Sequence, residues 1–161
     1  MINALRMRPD RVILGELRGA EAFNFLHAMN TGQDGTMATL HASGSEEVVS
    51  RLLNMILMAR YNISADSVRQ QIAGALDLII FVTRLVDGSR RVMTISQVSE
   101  DERTGIKIDD VFRFNIEKIS SNELKGSFAH INIPPTRRIL NKLIVSGLKE
   151  DFDAIFHELN Q

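Results

Sequence analysis

Apolar and polar positions alternate along the chain in a way that predicts a succession of short strands and amphipathic helices. Val12-Ile13-Leu14 is a β-branched apolar run that stops at Gly15, and it reads as a fully buried parallel strand. From Ala20 to Met29, apolar residues recur at Ala22, Phe23, Phe25, Leu26 and Met29, a helical spacing. Asn30 to Gly35 is a turn cluster, and Thr36 to Leu40 reads as a second short strand ending at His41. Ser43 and Glu46 have the spacing of a capping box, followed by a helix with Val48, Val49, Leu52, Leu53, Ile56 and Ala59 on one face. Residues 11–60 thus read strand, helix, strand, helix, which predicts a parallel sheet with right-handed crossovers.

Beyond residue 60 the pattern changes. Ser64 to Ala75 predicts a third helix. Asp77 to Leu85 and Arg91 to Val98 flank the turn Val86-Asp87-Gly88-Ser89 and read as a hairpin. Asp101 to Gly105 is another turn, and Val111 to Ile119 and Gly126 to Ile133 predict further strands. After Pro134-Pro135 a helix carries Ile139, Leu140, Leu143 and Ile144, read as a packed face, and Gly147 stops it. Asp151 to Leu159 predicts a last short helix. The parts expected are an α/β portion over 1–85, a β-rich appendage over 86–133 and C-terminal helices over 134–161.

Composition narrows the chemistry. The 161 residues are close to one ordinary domain, with 19 Lys+Arg against 20 Asp+Glu. That balance gives no pull toward nucleic acid or anionic lipid, so the arginines at 6, 8, 11, 90 and 91 are expected on solvated or subunit-facing surfaces. With no Cys, thiolate metal sites and cysteine nucleophiles are excluded. No apolar run approaches the ~20 residues of a membrane span, and the N-terminus lacks the features of a secretory signal. A cytoplasmic protein is the expectation.

Two strand ends carry the candidate chemistry. Glu16 follows the first predicted strand, and ligands of open α/β sheets bind beyond such carboxyl ends. A carboxylate there can hold magnesium, through water, or orient a water against a phosphoryl group. His41 ends the second strand, where an imidazole could contact a terminal phosphate and Thr39 could report its presence. If the strands are parallel neighbours, Glu16 and His41 share one edge. The bland alternatives are a solvated loop Glu and a loop His satisfied by Ser43. His27, His130 and His157 lack ligand spacing and read as surface or packing residues. A phosphate loop, Gly-x-x-x-x-Gly-Lys-Ser/Thr, is absent from the 161 residues.

With these residues in view, Leu5 to Ala22, containing Arg11-Val12-Ile13-Leu14-Gly15-Glu16-Leu17-Arg18-Gly19, resembles the Walker B region of type II/type IV secretion ATPases. It is most similar to the branch that drives tight-adherence (Flp) pilus assembly. Ala28 to Ala42 resembles that family's histidine box, and Val68 to Ala73 and Asp87 to Val92 also match. The resemblance is specific from Leu5 to about Val98. It implies the C-terminal part of a RecA-like P-loop NTPase domain with a β-hairpin appendage and a helical tail. Glu16 would activate water near magnesium and His41 would lie near the γ-phosphate. Gly15, Arg18 and Thr39 would line the nucleotide side, with Arg18 orienting Glu16 or reaching a neighbouring subunit. Gln33 departs from the family, which has His there; Gln keeps a donor and an acceptor but carries no charge.

The resemblance further implies ATP and magnesium as cofactors of the intact protein, a homo-hexamer, and an inner-membrane secretion or pilus platform as partner at the cytoplasmic face. Nucleic acid is not an expected partner. The phosphate loop would precede Met1, so the chain reads as a fragment, inactive and without bound nucleotide on its own, and prone to oligomerise through the apolar edge of its first strand. The alternative is a non-catalytic module that docks into such a ring.

Overall fold

A computed structural model describes residues 2–59, 61–119 and 124–159. Arg60, where the expected strand-helix-strand-helix series ends, lies outside them. The elements are α1 (Ile2–Leu5), β1 (Ile13–Leu14), α2 (Glu21–Asn30), β2 (Met37–Ala38), α3 (Ser45–Met58), α4 (Ala65–Ala75), β3 (Leu78–Arg84), β4 (Arg90–Ser99), β5 (Lys107–Ile119), β6 (Leu124–His130), α5 (Arg137–Val145) and α6 (Lys149–Leu159). The chain forms two compact units, Met1–Leu76 with Ser99–Lys107, and Asp77–Val98 with Ile108–Gln161.

In the first unit β1 and β2 pair in parallel, Ile13 opposite Met37 and Leu14 opposite Ala38. The Met37 and Thr39 amides donate to the Val12 and Leu14 carbonyls. The expectation of a fully buried first strand is corrected here. Val12 is buried at 7%, but Ile13 is 71% exposed, and Met37 beside it is exposed too. Burial on both faces needs a cover on both; among the described residues only the side of the pair bearing Val12 and Thr36 is buried. Helix α4 packs against both α2 and α3, and their seam is the core: Phe25, Leu26, Leu52, Ile56, Val68 and Ile72 are all buried. Ser64 caps α4 by accepting the Ser67 amide.

The start of α3 differs from the expected capping box by one residue. Gly44 is the N-cap, and the carboxylate of Glu47, not Glu46, reaches back to accept the Ser43 amide. Glu47 is the third helical residue once the helix begins at Ser45, which is where a back-reaching carboxylate works.

The second unit holds an antiparallel sheet in the order β3-β4-β5-β6. The expected hairpin is β3–β4, with Leu78 opposite Gln97 and an irregularity between Phe81 and Val82. Strand β5 starts earlier than expected, at Lys107, and β6 runs Leu124–His130 rather than to Ile133. The side-chain amide of Gln97 grips the start of α5, donating to the Pro134 carbonyl and accepting from the Thr136 amide, each at 3.0 Å. Asp77 holds the same helix through Arg138 Nε (2.7 Å) and Lys142 Nζ (2.8 Å). Gly147, in the left-handed region (φ 70°), ends it as expected. The expected packed face of α5 is only partly so: Leu140 and Leu143 are half-buried, whereas Ile144 is exposed. His130 is a packing residue, its ring 5.1 Å from Phe112 and 5.4 Å from Phe156. Among the described residues, no helix is long and apolar enough to cross a membrane.

Candidate functional site

The parallel pairing brings the ends of β1 and β2 to one edge of the first unit. There the chain turns, and two hydrogen bonds fix how. The Leu17 amide donates to the Thr39 carbonyl at 2.8 Å. The Thr39 hydroxyl donates back to the Gly15 carbonyl. Leu17 itself is buried and anchors the loop from below. Glu16 sits between these two tied residues, so its side chain leaves the sheet from a fixed position.

The carboxylate of Glu16 is engaged on both oxygens. Oε2 meets Arg18 Nη2 at 2.6 Å, and Oε1 meets His41 Nε2 at 3.1 Å. The Glu16 side chain is 25% exposed, against 77% for Arg18 and 85% for His41. The acid is therefore the least exposed of the three, and the guanidinium and imidazole stand over it in solvent. All five residues singled out in the sequence, Gly15, Glu16, Arg18, Thr39 and His41, come together here. The expected partner of a bland His41, Ser43, is not its contact; Glu16 is. Of the other histidines, His27 stacks against Phe23, His130 packs among rings of the second unit, and His157 is exposed.

Electrostatics follow from the contacts. The Arg18 hydrogen bond holds the Glu16 carboxyl below its ordinary value, against some desolvation, with smaller help from the charges of Arg18 and His41. Arg18 is raised in turn, chiefly by the same hydrogen bond. Glu16 is thus an anion at neutral pH. Held so, it is a weak base but a good acceptor, suited to orienting a water.

Glu21, to which the sequence pattern assigns no task, also touches this loop. Its Oε1 accepts the amides of Arg18 (2.6 Å) and Gly19 (3.0 Å). Those backbone bonds, led by the one from Arg18, hold its carboxyl below the ordinary range. The signal that could have found it is an acid in the first turn of a helix, just after a loop of free amides.

The donor set can be tested against magnesium and a phosphate. Among the described residues no group of three or more His, Cys, Asp or Glu gathers for a metal. One carboxylate at the edge suffices for magnesium, which keeps most of its waters and is commonly held by one or two carboxylates plus substrate phosphates. Arg18 and His41 offer exposed N–H donors of the kind that meet phosphate oxygens. The residues fit the water-and-metal side of a phosphate site; they do not supply a phosphate cradle.

The family described as Type II/IV secretion system protein matches residues 1–128. A putative conjugal transfer protein of Mycobacterium tuberculosis is 38% identical over 100 residues, covering 62% of this chain and 28% of the relative. The type IV secretion system protein PtlH of Bordetella pertussis is 36% identical over 92 residues, covering 55% of this chain and 27% of PtlH. Among solved structures, the VirB11 ATPase of the Brucella suis type IV secretion system, in complex with sulphate, aligns with a TM-score of 0.55 and 28% identity over 60% of this chain and 31% of that one. The chain spans less than a third of the length of these relatives. Its mixed α/β fold is that of part of the VirB11 ATPase.

Proposed function

The chain belongs to the Type II/IV secretion system protein family, and on that premise we propose that the Glu16 edge is the hydrolytic side of an ATP site powering a secretion or pilus-assembly machine. One observation carries the reading: an ionised carboxylate, tied in place at the end of a parallel strand, with Arg18 and His41 directly over it. In this assignment β1 is the Walker B strand and β2 leads into the histidine box. Glu16 would orient the attacking water and is the residue that would hold magnesium. Arg18 and His41 exchange their contacts with the two Glu16 oxygens for phosphate oxygens, which frees the carboxylate for that water. Thr39 and Gly15 keep the strand ends in register. When bound, magnesium supplies charge neutralisation on the phosphate oxygens.

The cradle for the β- and γ-phosphates has to come from another stretch of polypeptide, because the Gly-x-x-x-x-Gly-Lys-Ser/Thr pattern is not among the 161 residues. The working unit in this reading is a hexameric ring of the tight-adherence branch, seated on an inner-membrane platform.

Calorimetry with magnesium and a non-hydrolysable ATP analogue tests it. The chain alone is expected to give no measurable binding, and addition of a segment bearing the phosphate loop is expected to create it. Micromolar binding by the chain alone that survives Glu16→Ala would overturn the assignment. A second reading, a docking module without chemistry, is favoured by the uncharged Gln33 and by the lack of a phosphate loop among the 161 residues. It predicts that the added segment binds the chain but never yields turnover.

A further inference from the structure

The loop from Glu16 to Ala20 carries the paired side chains of Glu16 and Arg18, yet it contains no regular structure. Its N-terminal half is stitched to β2 by the Leu17 amide and the Thr39 hydroxyl. Its C-terminal half has no strand to lean on. The next element is α2, whose N-cap is Ala20, a residue with no side-chain acceptor. The amides of Arg18 and Gly19 point toward the helix start. A helix start already has more donors than acceptors.

Glu21 resolves this. It is the first residue of α2, and its Oε1 turns back along the chain to take both amides. The loop also closes on itself by the Ala22 amide to the Gly19 carbonyl and the Phe23 amide to the Ala20 carbonyl. Ala22 is fully buried, so the start of α2 cannot slide without disturbing the core. The Arg18 main chain is thereby welded to a packed helix, while its guanidinium stays exposed and reaches Glu16.

We propose that Glu21 is a positioning residue for the Glu16 edge: its carboxylate fixes the Arg18 backbone so that the guanidinium addresses Glu16. The consequence for the site follows from geometry. A long, exposed Arg side chain holds one geometry poorly by itself, because doing so costs rotamer entropy. Anchoring its Cα removes the backbone part of that cost. Glu21 touches neither Glu16 nor His41 among its hydrogen bonds, so it acts through Arg18. A plain helix-start acid would do something different. It would interact with the macrodipole through its charge, and Gln would not replace it. A positioning acceptor needs only an oxygen, which Gln supplies.

This inference rests on the Glu16 site as read above, and the experiment separates the two. NMR of the chain follows the exchange of the Arg18 and Gly19 amides and the Nε–H and guanidinium resonances of Arg18, in wild type, Glu21→Ala, Glu21→Gln and Glu16→Gln. Glu21→Ala is expected to speed both amides about tenfold and to collapse the Arg18 guanidinium signals toward those of Glu16→Gln. Glu21→Gln is expected to restore both. Unchanged amides in Glu21→Ala, or faster amides with wild-type guanidinium signals, overturn the role of Glu21. Guanidinium signals indifferent to Glu16→Gln overturn the Glu16–Arg18 pair, and with it the site, whatever Glu21 does.

Discussion

Arg18 Nη2 lies 2.6 Å from Glu16 Oε2 while His41 Nε2 takes the other oxygen at 3.1 Å, so one acid ties together the ends of two parallel strands. Because Arg18 is the main cause of the lowered Glu16 titration, the contribution of the pair is fully present above the ordinary value of 4.5 and is lost as the pH falls through the lowered one. Arg18→Ala is expected to move the Glu16 titration back up toward that ordinary value, followed by the side-chain carboxyl carbon in NMR. His41→Ala is expected to move it less, since the charge of His41 ranks last among the causes. Titration unchanged by Arg18→Ala contradicts the pair.

The exposure of Ile13 and the burial of Leu52 set a contrast in stability. Leu52→Ala leaves a cavity at the seam of the three helices and is expected to cost about 2–5 kcal/mol in urea unfolding. Ile13→Ala is expected to fall within about 0.5 kcal/mol of wild type. Equal losses would mean that Ile13 is covered in solution.

Two glycines make a similar contrast. A Cβ on Gly126 would collide with the Asn115 carbonyl oxygen and the Phe114 ring, so Gly126→Ala is expected to destabilise by about 1–3 kcal/mol. A Cβ on Gly15 meets nothing within 4 Å. Gly15→Ala is expected to keep the wild-type thermal midpoint, which lets any loss of nucleotide binding be assigned to the strand end rather than to folding.

Asp77 joins β3 to α5 through Arg138 and Lys142. The groups are about a third exposed, and solvent screens them. Asp77→Asn is accordingly expected to cost about 1 kcal/mol or less, but to raise amide exchange along Arg137–Val145. Exchange unchanged in that helix would mean that Gln97 and apolar contacts suffice to hold it.

Much of this was legible in the residues, for physical reasons that differ by element. The spacing of Ala22, Phe25 and Leu26 specifies α2, because one helix face must meet a core whatever that core is. The hairpin is legible through Asp87-Gly88-Ser89, where Gly88 adopts φ 82° and the Asp87 carboxylate takes the Ser89 amide. The meeting of Glu16 and His41 is legible because each ends a strand of a parallel pair. The exposure of Ile13 is not: a β-branched run reads alike whether one face or two are covered, and covering is a property of the whole sheet. The place of Gly44 at the start of α3 and the grip of Glu21 on Arg18 are also hidden, since each depends on a loop conformation rather than on periodicity.

The most direct measurement is ATP turnover by the chain with a phosphate-loop segment supplied in trans, comparing wild type with Glu16→Gln. The account predicts turnover in wild type and a loss of about 10²–10⁴-fold in the variant, with analogue binding by calorimetry unchanged. Turnover equal in the two would contradict the assignment of Glu16 as the residue that orients the attacking water.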